Sequence, residues 1–351
     1  MSDPADLRVA LVGYGLAGSV FHGPLVAATP GLALTTIVTG DPSRRARARL
    51  DFPGAAVVGS TDELWADAGA HDLVVVATTT GSHVDVATAA VDAGLAVVVE
   101  KPLAPRAEPG RTLVDRAAAA GVMLTVFHNR RWDAEFLTLR RLVGAGVLGD
   151  VVRFESRFER WRPDPSVGAW RHELPADDGG GVLLDLGIHL VDQALVLLGP
   201  ATHVTGEVAS RRGGADDDVF VALRHASGAI SHLWASAVAA APGPRLRVLG
   251  REAAYVVEHL DGQEDQLRAG RRPGDPGFGV EPPLRWGRLR RGDDGEPVPS
   301  EPGRWPAFYE GVAQALRGGG APPVDPADAV RALQVLDAAR RSAREASVVA
   351  L

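Results

Sequence analysis

Five short apolar runs, at 7–12, 32–38, 73–77, 96–99 and 123–126, punctuate the first third of the chain, and alanine and leucine recur with helical period between them. Runs this short and this continuously apolar read as strands buried on both faces. Strand alternating with helix predicts a parallel, doubly wound sheet. From Val151 the pattern changes to period two, in the segments "VVRFESRFERW", "HVTGEVAS", "DVFVALRH", "AISHLWASAV", "RLRVLG" and "AAYVVEHL", joined by Gly, Asp and Pro turns. That half predicts an antiparallel sheet with one face covered. One helix interrupts it over 181–199, and two more close the chain near 306–317 and 326–346. Between them, 261–306 is dense in Gly, Pro and Arg, and reads as a long ordered excursion or a mobile loop. The expected architecture is α/β: a first, doubly wound domain over 1–126 and an α+β domain over 127–351 with a large, mainly antiparallel open sheet. The helix over 326–346 is placed to pack back on the first domain.

Composition narrows the function more than the fold. The 351 residues suit two domains, and 46% hydrophobic against 23% charged residues is a globular balance. With 37 basic against 44 acidic side chains the net charge is −7, which gives no overall pull toward nucleic acid. The basic cluster at 44–49, "RRARAR", is the local exception. There is no cysteine, which excludes disulfides, thiolate metal sites and cysteine nucleophiles together. No basic leader followed by an apolar stretch opens the chain and no run reaches membrane-spanning length, so a soluble, cytoplasmic protein is expected.

Candidate chemistry lies where strands end. "VALVGYGLAGSVF" sets Gly13, Gly15 and Gly18 between the first strand and a helix, the context in which glycines allow a tight turn, approach of a pyrophosphate and close helix packing. The second strand ends "TTIVTGDPSRR", with Thr39 at the cofactor-selecting position and Ser43, Arg44 and Arg45 just beyond. Hydroxyls and guanidinium groups suit the 2′-phosphate of NADP better than a ribose diol, although Asp41 is an alternative diol acceptor that would fit NAD. In "VVVEKPLAPR" a lysine, Lys101, follows a buried strand directly, where parallel sheets hold ligands, and Pro102 fixes the chain direction after it. The bland alternative is a charged strand exit.

Asp185 and His189 stand four apart on the helix over 181–199, whose circumference is otherwise mostly apolar, so each must find a partner or act chemically. A satisfied core pair is the competing reading. No third ligand at recognisable spacing suggests a metal, and "HELP" at His172 lacks the second histidine of a zinc helix. His83 reads most simply as packing at a helix start, and Asp216, Asp217 and Asp218 as a solvated turn. Trp132, Trp161, Trp170 and Trp286 suit a core or interface, or the wall of a pocket.

Taken in order, G-x-G-x-x-G, E-K-P and D-x-G-x-H on a helix in a β-rich second half resemble the Gfo/Idh/MocA oxidoreductase family, nearly end to end. The wording "GYGLAGSVFHGPL" and "VFHNRRWD" is most similar to its subgroup of NADP-dependent scyllo-inositol dehydrogenases. The resemblance implies hydride transfer between a nicotinamide cofactor and a secondary hydroxyl or ketone of a cyclitol or sugar, with Lys101, Asp185 and His189 as the catalytic set. His189 is the implied proton-transfer partner and Asp185 the orienting group, with Lys101 the alternative base. A cis bond before Pro102 is also implied.

For the cofactor, NADP with NAD as the alternative, the implied contacts are Gly13, Gly15, Leu16, Ala17, Gly18, Thr39, Ser43, Arg44, Arg45, Thr78, Thr79, His83, Glu100, Lys101 and Asn129. His22 is a further candidate toward the nicotinamide. For the substrate they are Lys101, Asn129, Arg130, Arg162, Trp170, Arg171, Asp185 and His189, with Arg160 on the same rim, where guanidinium and indole groups suit a hydroxyl-rich ligand. Thr39 stands where NAD-preferring relatives carry an acid. The same fold also hosts sensors that bind dinucleotide without catalysis and glycoside hydrolases that retain their cofactor; both are carried as alternatives. The expected partners are a small polyol or sugar and further copies of the chain, as homodimer or homotetramer, with no nucleic acid and no membrane.

Overall fold

The computed structural model describes residues 6–164 and 174–351. Trp170 and Arg171 lie outside the described residues, as does His172.

Six parallel strands form the first sheet: β1 (Leu7–Val12), β2 (Leu32–Val38), β3 (Ala56–Val58), β4 (Leu73–Val76), β5 (Ala96–Glu100) and β6 (Leu124–Phe127). Their order is β3-β2-β1-β4-β5-β6, so the winding reverses between β1 and β4 and opens a crevice at the carboxyl ends of the strands. Val97, Val98 and Val99 are wholly buried, as the unbroken apolar run requires. Each such side chain contributes about 1.5–3 kcal/mol. The short edge strand β3 is the element the apolar pattern did not announce, because its three residues are only partly covered.

Nine strands form the second sheet, in the order β14-β13-β12-β11-β7-β10-β9-β8-β15. The six expected segments become β7 (Val151–Glu159), β8 (Ala201–Ala209), β9 (Asp218–His225), β10 (Ile230–Ser236), β11 (Leu246–Gly250) and β12 (Ala254–Val257). All neighbours pair antiparallel except β7 with β10. The Gly/Pro-rich excursion is ordered: it carries the helix Gln263–Arg268 and a hairpin, β13 (Arg288–Arg291) with β14 (Asp294–Pro297), that extends the sheet. A two-residue strand, β15 (Val349–Ala350), closes the other edge against β8.

Val219, Val221 and Leu223 point inward, under the helices Ile188–Leu198 and Pro326–Glu345. Phe220, His232 and Trp234 lie on the opposite face, with the Arg157 guanidinium 3.9 Å over the Trp234 ring. The helix Pro326–Glu345 also touches the first half, where Asp337 accepts a 2.9 Å hydrogen bond from the amide of Ala107. The helix Pro306–Gly318 packs Phe308, Tyr309 and Val312 into the core around Val9, Leu11 and Val98. Among the described residues no helix is long and apolar enough to cross a membrane.

Candidate active site

The glycine turn is built by steric exclusion. Gly13 has φ +101°, and a Cβ there would stand 2.5 Å from the Ala77 carbonyl oxygen at the end of β4. A Cβ on Gly18 would stand 2.0 Å from the carbonyl oxygen of Gly13. Gly15 differs: within 4 Å a Cβ would meet only the Arg44 guanidinium, at 3.9 Å. Two glycines therefore make the turn and the third leaves its outer face open, a cradle that a side chain would fill and a pyrophosphate fits. The following turn, Ala17–His22, is a π-helix, a widening often found at functional sites. Leu16 and Ala17 line the cleft beyond it.

At the end of β2 the side chains sort themselves. Asp41 caps the helix Pro42–Asp51, accepting from the Arg44 amide at 2.8 Å and the Ser43 hydroxyl at 2.5 Å. Those two hydrogen bonds hold its pKa below the usual carboxylate range. Ser43 thus spends its hydroxyl on Asp41, and Thr39 is buried, while Arg44 lies over Gly15. Arg45 reaches toward Gly59 and Glu63.

Two histidines expected near the cofactor are struts. His83 is buried, with Nδ1 2.8 Å from the Pro102 carbonyl and Nε2 3.2 Å from that of Thr78; a neutral ring donates to one of these two acceptors, and the side chain does not line the cleft. Burial lowers its pKa. It ties the loop after β4, carrying Thr78 and Thr79, to the loop after β5. His22 is buried between Glu100 (Nε2 to Oε2, 2.7 Å) and the Tyr309 hydroxyl (2.6 Å from Nδ1), so it props Glu100 and does not line the cleft. Burial alone would raise the Glu100 pKa, but the His22 hydrogen bond and nearby charges hold it below the ordinary value.

Lys101 follows Glu100, and its bond to Pro102 is cis. Its Nζ donates to the Asp185 carboxylate and to the Asp185 backbone carbonyl, both at 2.8 Å. The first sheet thus reaches the π-turn Leu183–Gly187 that opens the long helix, and His189 lies one turn on. Among the described residues no side chain holds either ring nitrogen of His189; Nδ1 is buried and the ring reaches the cleft, 6.0 Å from the Phe158 ring. Burial, then the charges of Lys101 and Arg130, keep its pKa well below the usual histidine value. Asp192, a turn further, is gripped by Arg131 at 2.9 and 2.6 Å, with His128 Nδ1 at 3.8 Å.

The cleft encloses about 1030 Å³ between the two sheets and brings together Leu16, Ala17, Glu100, Lys101, Asn129, Arg130, Arg162, Asp185 and His189. Arg130 is committed within the chain, to Asp133 at 3.2 Å and Glu264 at 3.0 Å, and lies over the rings of Phe158 and Trp305. The tryptophans among the described residues do not line this space: Trp132 packs on Phe308, Trp161 is exposed and Trp286 donates to the Glu281 carbonyl. The Asp216 to Asp218 run is no solvated turn. Asp216 accepts from the Leu183 amide at 2.7 Å and so caps the segment bearing Asp185, and burial raises its pKa. Asp217, wholly buried, accepts from the amides of Arg211 and Arg212. Sequence reading also missed Arg245, which is buried in the cleft wall, donates to Gln193 at 2.8 Å and pairs with Glu135 at 3.3 Å. An arginine in the turn "PGPRLR" carries no local signal of burial.

A glycine turn at the switch point of a doubly wound sheet, facing an ammonium, a carboxylate and an unclaimed imidazole across one cleft, defines a dinucleotide-dependent oxidoreductase. The family models agree: residues 7–128 match the NAD-binding Rossmann fold of the GFO/IDH/MocA oxidoreductases and residues 136–256 match their C-terminal domain. The chain belongs to the GFO/IDH/MocA family. It is 36% identical over 350 residues to the scyllo-inositol 2-dehydrogenase (NADP(+)) IolW of Bacillus subtilis, covering 98% of this chain and 96% of that one. It is 37% identical to the oxidoreductase YdgJ of Escherichia coli, with both chains covered in full. Among solved structures, the Bacillus subtilis oxidoreductase yvaA superposes with a TM-score of 0.91 at 35% identity, over 100% of this chain and 99% of that one.

Proposed function

We propose that the protein catalyses NADP-linked interconversion of a secondary hydroxyl and a ketone on a cyclitol or sugar, scyllo-inositol being the first candidate. One observation carries the reading. An ammonium has three N–H donors, and Lys101 gives two of them to Asp185, leaving the third for a substrate oxygen beside the unclaimed ring of His189. When bound, the nicotinamide supplies the hydride acceptor or donor. Lys101 and Asp185 hold and orient the substrate oxygen, and the ammonium stabilises negative charge that builds on it. His189, kept neutral by its lowered pKa, takes the hydroxyl proton in the oxidative direction. Asn129, in the same wall, is in position to bind the nicotinamide amide or a substrate hydroxyl.

NADP is favoured over NAD because Arg44 overhangs Gly15 while Asp41 is occupied as a helix cap, which leaves a cation and no free acid at the ribose position. The name of the Bacillus subtilis relative supports the same choice. The open face bearing Phe220, His232 and Trp234 is the proposed contact of a homodimer or homotetramer, which light scattering would count. A cytoplasmic location is part of the proposal and suits a chain without cysteine.

The test is the initial rate of NADP or NAD reduction across inositol isomers and aldoses, for wild type beside Lys101→Ala. Turnover that prefers NADP and falls by at least about 100-fold in the variant is expected. NADP binding without turnover of any polyol would overturn the reading and favour a sensor or a hydrolase that retains its cofactor.

A further inference from the structure

Most of the arginines that line the cleft are paired within the chain. Six of its arginines, Arg130, Arg157, Arg212, Arg245, Arg268 and Arg285, each have a carboxylate at 3.3 Å or less. Arg160 and Arg162 line the same space, and among the described residues neither guanidinium has a hydrogen bond or an ion pair. They stand two apart on the extended chain beyond β7, which sends both side chains to one side. That backbone is pinned: the Arg160 amide donates to the Ser236 carbonyl at 2.9 Å, its carbonyl accepts from Ala239 at 3.0 Å, and the Arg162 amide donates to Ala237 at 2.8 Å. Arg160 is half-buried, and burial followed by the charge of Arg162 pulls its pKa below the ordinary arginine value. The carboxylates nearest in field are Glu264, already shared by Arg130 and Arg268, and Asp185, already bonded to Lys101.

We propose that Arg160 and Arg162 form an oxyanion-binding arm that the ligand completes. Uncharged hydroxyls can accept hydrogen bonds from these groups but leave two adjacent charges uncompensated, one of them half-buried. A planar guanidinium pair matches a carboxylate or phosphate in both geometry and sign. The oxyanion has two possible carriers: an acidic group on the substrate, which would make the substrate a sugar acid or sugar phosphate, or the pyrophosphate of the dinucleotide closing against the second sheet. The substrate arm rests on the oxidoreductase reading above.

Isothermal titration of the full-length protein separates the sources. Wild type, Arg160→Gln and Arg162→Gln are titrated with NADP⁺, and then, loaded with NADP⁺, with D-glucuronate and with neutral D-glucose. Loss of one charge-assisted paired contact predicts about 10- to 100-fold weaker binding of one anionic ligand, well beyond any loss for neutral glucose. A loss confined to glucuronate assigns the arm to the substrate, and a loss in NADP⁺ affinity assigns it to the dinucleotide. If both variants bind NADP⁺ and glucuronate within twofold of wild type, the arm does not exist. Arg162 is exposed, so its substitution removes charge without touching packing and keeps the test readable should Arg160→Gln misfold. Titration needs no turnover, so failure of wild type to oxidise any sugar would sink the proposed reaction and leave this inference standing on its own result.

Discussion

Gly15→Ala and Gly18→Ala should have opposite consequences, although both remove a glycine from one turn. At Gly15 a methyl group meets only Arg44, at 3.9 Å, an ordinary contact, and the backbone there does not require positive φ. The alanine should therefore leave the fold unchanged or stabilise it by about 0.4–1 kcal/mol through the unfolded chain. The same methyl occupies the open face where a pyrophosphate would lie. Lengthening one amide-to-phosphate hydrogen bond costs about 1.5–3 kcal/mol, or roughly 10- to 150-fold in Kd. At Gly18 the methyl would stand 2.0 Å from the carbonyl oxygen of Gly13, closer than atoms pack, so that peptide must move and stability falls by about 1–3 kcal/mol or more. Thermal melting without ligand reads the first quantity and fluorescence titration with NADP⁺ the second. A Gly15→Ala protein that melts normally and binds NADP⁺ within twofold of wild type would refute the assignment of this turn to the cofactor.

Three further outcomes follow from the same geometry. Because burial holds the His189 pKa below the usual value, its neutral form prevails at and above pH 6.5. The kcat/KM for oxidation should stay flat there and fall only in more acid solution, and His189→Asn should remove that limb; a limb centred at or above pH 6.5 would contradict the role. Arg44→Gln should weaken NADP⁺ by about tenfold while leaving NAD⁺ within a factor of about two, as paired Kd measurements would show. Asp216→Ala, which removes the cap on the Leu183 amide, should cost about 1–2 kcal/mol in melting and lower kcat, whereas Asp216→Asn, which keeps an acceptor, should restore most of both.

How much was legible depended on where the determining partner lies. Lys101, Asp185 and His189 stood out as candidates because a polar residue at the end of a buried strand, or on an apolar helix, conflicts with its surroundings and that conflict is local, while their roles came from the family resemblance. β13 and β14 could not: only Leu289 of "RLRR" is buried, so there is no apolar alternation to detect, and the pairing depends on β12 some thirty residues earlier. Asp216 was hidden for a similar reason, since three consecutive aspartates resemble solvent-facing chain until the helix they cap is brought alongside. His22 is the extreme case, because its hydroxyl partner Tyr309 is 287 residues away. Its type suggested chemistry, and only the fold shows it is a prop for Glu100.

These distant props bear on how the site could work. Lys101 and Asp185 come from different halves of the chain, so their 2.8 Å separation holds only if the two halves stay in register. Several polar links cross that junction: the Thr125 hydroxyl donates to the Val324 carbonyl at 2.8 Å, the Ala107 amide donates to Asp337 at 2.9 Å, and His22 Nδ1 meets the Tyr309 hydroxyl at 2.6 Å. Hydrophobic contact between the halves could supply as much stability, but it tolerates sliding, whereas hydrogen bonds between buried groups lose about 1–3 kcal/mol each when misaligned. The polar links therefore select one relative placement among many of similar apolar burial. In that placement the third donor of Lys101 and the ring of His189 share the cleft before any ligand arrives, which is the preorganisation a proton transfer coupled to hydride movement requires.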